Sequence, residues 1–148
     1  MNEETSTVTM WVGGICIKDD KVLLIHRINN EIDLNKEYFV FPGKNLQGDE
    51  TLEIALEKSF KDFSITTKLG ELLYSKEDDV DDQEYYYMCD YILGEPALTS
   101  GSNEAKEMEE GTQIYTPMWI ALSEIDNLIV YPETVKMLLL EKLFPDSY

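Results

Sequence analysis

The chain has 148 residues, enough for one domain with a sizeable core, and its 43% hydrophobic and 11% aromatic content argues against disorder. A net charge of -18, from 30 acidic and 12 basic residues with Arg27 the single arginine, excludes nucleic acid and an anionic membrane surface as partners. No apolar run approaches the roughly 20 residues that cross a bilayer, and "MNEETSTVTMW" lacks the basic-then-apolar pattern of a secretory leader, so a cytoplasmic location is expected.

"TVTMWVGGICI" and "KVLLIHRI" are β-rich runs, and Asp19-Asp20 between them predicts a hairpin turn. A polar loop, "NNEIDLNKE", leads to a short strand, "YFVF", which stops at Pro42-Gly43 and gives way to a further polar loop. From Thr51 the spacing becomes helical. Leu52, Leu56, Phe60 and Phe63 fall on one stripe, Thr51 suits the N-cap, and Glu53 lies in the first turn. Strands resume in "KLGELLYS" and "EYYYMCDYILG" on either side of the acidic "KEDDVDDQ", which reads as a solvated hairpin tip. The alternative, a calcium loop, needs a Gly at its sixth position and a closing Glu, and neither is correctly placed. A polar stretch from Thr99 to Gln113 precedes the strand "PMWIAL", the segment "SEIDNL" and a helix "PETVKMLLLEKLF" opened by Pro132 and stopped by Pro145. Cys16 and Cys89 lie in apolar strands without metal-type spacing and read as buried, reduced thiols. Strands around two substantial helices predict an α+β class, with residues 1–148 as one domain.

This order of elements resembles the Nudix (MutT-like) hydrolases: a "VGGICI…VLLIHR" hairpin, a strand ending in "FPG", a loop, a helix, then "EYYYMCDYILGEP", "YTPMWIALSEI" and "YPETVKMLLL". The resemblance spans nearly the whole chain. It implies a mixed β-sheet sandwiched between α-helices. It also implies hydrolysis of nucleoside diphosphates linked to another group, with Mg²⁺ or Mn²⁺ held by glutamates on the box helix. The family signature is G-x5-E-x7-R-E-U-x-E-E-x-G-U, where U is apolar. Laid over this chain without gaps, it puts Lys44 at the first Gly, keeps Glu50, puts Lys58 at the Arg and Phe60 at the apolar position. The three helix glutamates become Ser59, Asp62 and Phe63. The closing Gly falls on Ile65, or on Ser64 if one residue is deleted.

At about 100° per residue, positions 59, 62 and 63 project into one sector of a helix. Of three carboxylates one remains, Asp62, the expected ligand for a weakly held metal, since Mg²⁺ can be carried by one or two carboxylates together with substrate phosphates. Ser59 has no useful basicity at neutral pH, and Phe63 extends the apolar stripe. By the resemblance, Glu50, Lys58 and Asp62 are the candidate catalytic residues, Glu50 and Lys58 also bracing the loop against the helix, and the candidate cofactor-binding residues are Gly43 and Arg27, the latter facing substrate phosphates. For Arg27 a surface charge at a strand end is an equal reading. His26 alternates away from Arg27 and reads as a half-buried strand residue. Glu104, Glu107, Glu109 and Glu110 read as a solvated loop, with replacement of lost metal ligands as the sharper alternative. Tyr86 and Trp119 are expected to pack in the core, with a ring bordering a base-binding cleft as the alternative.

Three uses of such a chain follow. It is a pyrophosphohydrolase slowed by its reduced site, a non-catalytic module that binds a small-molecule nucleotide in the kept cleft, or an interaction protein working as a homodimer. "FPG", Glu50, Lys58 and Arg27 favour the first two, and Ser59 and Phe63 favour the second over the first.

Overall fold

The structure, a computed structural model, describes residues 9–29, 37–97 and 113–145. In chain order the elements are β1 (Thr9–Lys18), β2 (Lys21–Asn29), β3 (Glu37–Val40), β4 (Gly43–Asn45), α1 (Leu52–Lys61), β5 (Ile65–Lys76), β6 (Asp82–Gly94) and β7 (Gln113–Ala121). A 3₁₀ turn (Leu122–Asn127), β8 (Val130–Tyr131) and α2 (Glu133–Leu143) follow. The strands form one eight-stranded mixed sheet in the order β5-β6-β1-β2-β3-β8, with β4 on β1 and β7 on β2. β1 runs parallel to β6, from Thr9 opposite Asp82 to Ile17 opposite Asp90, and β3 runs parallel to β8.

Asp19 and Asp20 both take left-handed φ values, 51° and 63°, and their short polar side chains tolerate the tight two-residue turn that joins β1 to β2. The hairpin is brief. β1 and β2 pair only through Ile17 with Val22 and Lys18 with Lys21, then separate. Into the gap runs the stretch from Glu37 to Asn45. β3 pairs with β2, setting Val40 opposite Ile25, and β4 pairs with β1, setting Gly43 opposite Gly13. Phe41-Pro42 makes the crossing between the two ladders, a place suited to a residue without an N–H, and the Gly14 N–H donates to the Pro42 carbonyl at 2.9 Å. A Cβ on Gly43 would lie 2.7 Å from the Val12 carbonyl and 2.6 Å from the Trp11 ring, so only glycine lets the crossing strand come this close.

Alternation along β1 and β2 separates two cores. Val12, Cys16, Leu23 and Cys89 pack under Ala55, Leu56 and Phe60 of α1. Ile15, Val22, Leu24, Phe39, Phe41 and Tyr86 pack under Val135, Leu139 and Leu140 of α2. The sheet therefore lies between two helices, the α+β Nudix architecture that the order of elements predicts. Among the described residues no helix is long and apolar enough to cross a membrane.

The structure differs from expectation at several edges. β4 lies within the segment read as a polar loop, and β8 was not foreseen. β5 begins at Ile65 rather than Lys68, because Ile65, Thr66 and Thr67 continue the ladder against β6. β7 starts at Gln113, ahead of "PMWIAL". α1 stops at Lys61, so Phe63 lies beyond the helix proper.

Candidate functional site

The site is built by the β3–β4 crossing, the loop that follows it and the C-terminal turn of α1. Thr51 starts the helix from an extended conformation, its Oγ1 accepting the Ile54 N–H at 3.1 Å. At the other end Asp62 is the C-cap, its N–H donating to the Lys58 carbonyl at 3.0 Å. Ser64 then takes φ 67° and turns the chain into β5. Of the two residues that the closing Gly of the signature could fall on, it is Ser64 that adopts the left-handed conformation glycine favours.

Glu50, at the end of the loop, is the best-held side chain of the region and only 9% exposed. It accepts from Lys58 Nζ at 2.6 Å, from the Gln47 N–H at 2.9 Å, and from Lys44 Nζ at 3.1 Å on both carboxylate oxygens. The Lys58 contact foremost, then the Gln47 N–H and Lys44, hold its carboxyl down to about 2. Glu50 and Lys58, picked out in the sequence, are thus in direct contact and tie the loop to α1. Lys44 is the partner that sequence reasoning missed. Its signal was a lysine six residues ahead of Glu50 at a position where the signature has glycine.

The helix positions are arranged differently from a metal centre. Ser59 is 2% exposed, and its hydroxyl has no hydrogen-bond partner. Asp62 is half-buried, and that burial raises its carboxyl from its usual value, opposed by the charge of Lys44. Phe63 is 3% exposed and packs against Ile25 and Val40. It closes one wall of a small cavity of about 50 Å³, whose other walls include Arg27, Pro42, Gly43 and Trp11. Arg27 and Gly43 are thereby brought together, while Asp62 and Glu50 are not among the lining residues. The guanidinium of Arg27 lies 5.7 Å from the Tyr38 ring. Trp11 also borders a larger cavity of about 300 Å³, walled by Thr9, Asn45, Asp82, Glu84, Tyr86 and Pro132.

This donor set does not fit a divalent-metal centre. Glu50 is engaged by two ammonium groups, Ser59 is enclosed, Phe63 offers no lone pair, and Asp62 alone remains. Among the described residues no group of three or more His, Cys, Asp or Glu could hold an ion. Glu104, Glu107, Glu109 and Glu110 lie outside the described residues.

His26 faces away from this cavity, its Nε2 3.2 Å from Glu37 and its ring 4.9 Å from that of Phe39. Tyr86 is in the α2-side core, its ring 6.4 Å from that of Phe41. Trp119 is on the α1 side, edge-on to Tyr91 at 5.7 Å.

No protein-family model matches the chain, and no curated protein matches it in sequence. Solved structures do match its fold. A NUDIX hydrolase from Nitrosomonas europaea superposes with a TM-score of 0.64 at 13% identity, over 89% of this chain and 86% of that one. An ADP-ribose pyrophosphatase from Streptococcus suis gives 0.63 at 14% identity, over 93% of each. A MutT NUDIX hydrolase from Burkholderia pseudomallei gives 0.55 at 17% identity, over 78% and 84%. The chain has the Nudix fold.

Proposed function

We propose that this Nudix-fold chain binds a nucleotide or nucleoside-diphosphate derivative in the cleft around Trp11, and that the pyrophosphohydrolase chemistry of the fold is weak or lost in it. The observation that carries this reading is Phe63. Where the signature has a carboxylate, an apolar ring is buried against Ile25 and Val40 and fills the space next to Arg27. Metal-assisted hydrolysis needs ions that activate water and screen the pyrophosphate, and a lone Asp62 would carry any Mg²⁺ or Mn²⁺ there is. In this reading Arg27 meets phosphate, Gly43 gives the backbone its close approach, and Glu50 with Lys58 serves as bracing. Room for a ligand supports binding over a purely structural role. The larger cavity beside Trp11, about 300 Å³, reaches the lower end of the range for small-molecule sites, roughly 300–1,000 Å³.

The test is phosphate or pyrophosphate release from nucleoside triphosphates, dinucleoside polyphosphates, ADP-ribose and nucleotide sugars, with Mg²⁺ and then Mn²⁺, for the natural chain and for Ser59→Glu/Phe63→Glu. Little or no turnover by the natural chain, with saturable binding of at least one compound, is the expected result. Turnover by the natural chain at rates ordinary for hydrolases, on the order of 1–10³ per second, would refute it.

A further inference from the structure

We propose that the larger cavity is a binding site for a small organic ammonium ion, held over an aromatic floor by the carboxylates of Asp82 and Glu84. The inference goes beyond the binding reading above, which takes from this cavity only its size.

Strand register gives the first support. In the parallel ladder of β1 and β6, Trp11 lies opposite Glu84 and Gly13 opposite Tyr86, with Asp82 two residues ahead of Glu84. Alternate residues of a strand face one side, so Trp11, Asp82, Glu84 and Tyr86 share one face of the sheet, the face of the α2-side core. Two glycines shape the floor there. Gly13 and Gly43 are paired across β1 and β4. A Cβ on Gly13 would collide with the Tyr86 ring and one on Gly43 with the Trp11 ring, so each ring lies low over the backbone of a glycine. Both rings also border the cavity.

Charge gives the second support. Asp82 and Glu84 line the same cavity, no lysine or arginine does, and among the described residues neither carboxylate forms an ion pair. Burial foremost, then the charge of Glu84, pushes the Tyr86 hydroxyl up from its usual value, which puts that carboxylate within electrostatic reach of the buried ring. Such walls repel phosphate and attract a cation. The rings decide which cation. Indole and phenol surfaces give a metal ion no ligand, and the described residues hold no group of three or more His, Cys, Asp or Glu suited to one. An alkylated ammonium is drawn to ring faces and buries its methyl groups against them, with tryptophan the strongest partner.

The experiment is NMR titration of the intact chain with choline at constant ionic strength, followed at the indole N–H resonances of both tryptophans. The neutral isostere of choline, with a quaternary carbon in place of nitrogen, is titrated in parallel. Trp119 is on the α1 side and serves as internal reference. The expected result is a saturable shift of Trp11 alone, with the isostere bound about tenfold or more weakly, as for loss of a cation over a ring and between carboxylates. Asp82→Asn/Glu84→Gln should weaken choline binding about fivefold or more, as for loss of two partly exposed charge pairs. Glu53→Gln/Glu57→Gln, which removes the same charge from exposed positions on α1, should leave it unchanged. Absence of a saturable shift, equal shifts at both tryptophans, equal binding of the isostere, or undiminished binding by Asp82→Asn/Glu84→Gln each overturns the inference. ADP in the same titration tests the nucleotide reading separately. Binding of ADP without choline overturns only the inference, and binding of choline without ADP counts only against that reading. Should Asp82→Asn/Glu84→Gln fail to fold, choline against its isostere on the natural chain still decides.

Discussion

Ser59 and Glu50 represent opposite fates of polar side chains at this site. The Ser59 hydroxyl is enclosed without a partner, a desolvation cost with nothing returned. Ser59→Ala is therefore expected to be neutral or stabilising by up to about 1 kcal/mol, read from chemical denaturation midpoints at unchanged slope. Glu50 is fully satisfied, and its folded value near 2 lies below its unfolded 4.5. Its contribution is complete above about pH 4.5 and is lost as pH falls toward 2. Asp62 has the reverse sign, since its raised folded value makes ionisation costly above 3.8 and costless below. Stability measured from pH 7 to pH 2 should fall less steeply in Glu50→Gln than in the natural chain, and parallel curves would sink the assignment. Glu50, Lys58 and Arg27 could be picked out because the chain resembles the Nudix signature and layout at those positions. The burial of Phe63 against Ile25 and Val40 could not, because those contacts join segments far apart in sequence. The same holds for Lys44, whose pairing depends on how the loop folds back.

At the scale of elements, local chemistry predicted what it controls. Thr51 caps α1 as its type and position suggest, and Thr51→Ala should cost about 1 kcal/mol, seen as a lowered melting temperature without change in fold. The hairpin at Asp19-Asp20 and the start of α2 after Pro132 follow the same logic. β4 and β8 escaped because Gly43-Lys44-Asn45 and Val130-Tyr131 have little strand preference or length of their own. They are strands because β1 and β3 present open ladders to them. The end of α1 was misplaced because Asp62 and Phe63 continue the helical spacing, whereas the left-handed turn at Ser64 is set by where β5 must begin.

For the whole molecule, charge dominates. With 30 acidic residues against 12 basic ones, self-repulsion opposes compaction, and it is screened within a Debye length of about 8 Å at physiological ionic strength. Raising NaCl from low to physiological concentration should increase the melting temperature of the natural chain. A decrease would mean that local ion pairs such as Glu50 with Lys44 and Lys58 outweigh the global repulsion. The parallel pairing of β1 with β6 has a temporal consequence as well. β1 lies inside the sheet, yet its longest ladder is with a strand roughly 70 residues further along, and such distant closures slow folding. During synthesis β1 leaves the ribosome well before β6 exists, with one flank of its backbone unpaired and Val12, Ile15 and Cys16 uncovered. The newborn chain must wait for its second half before its first strand has a home.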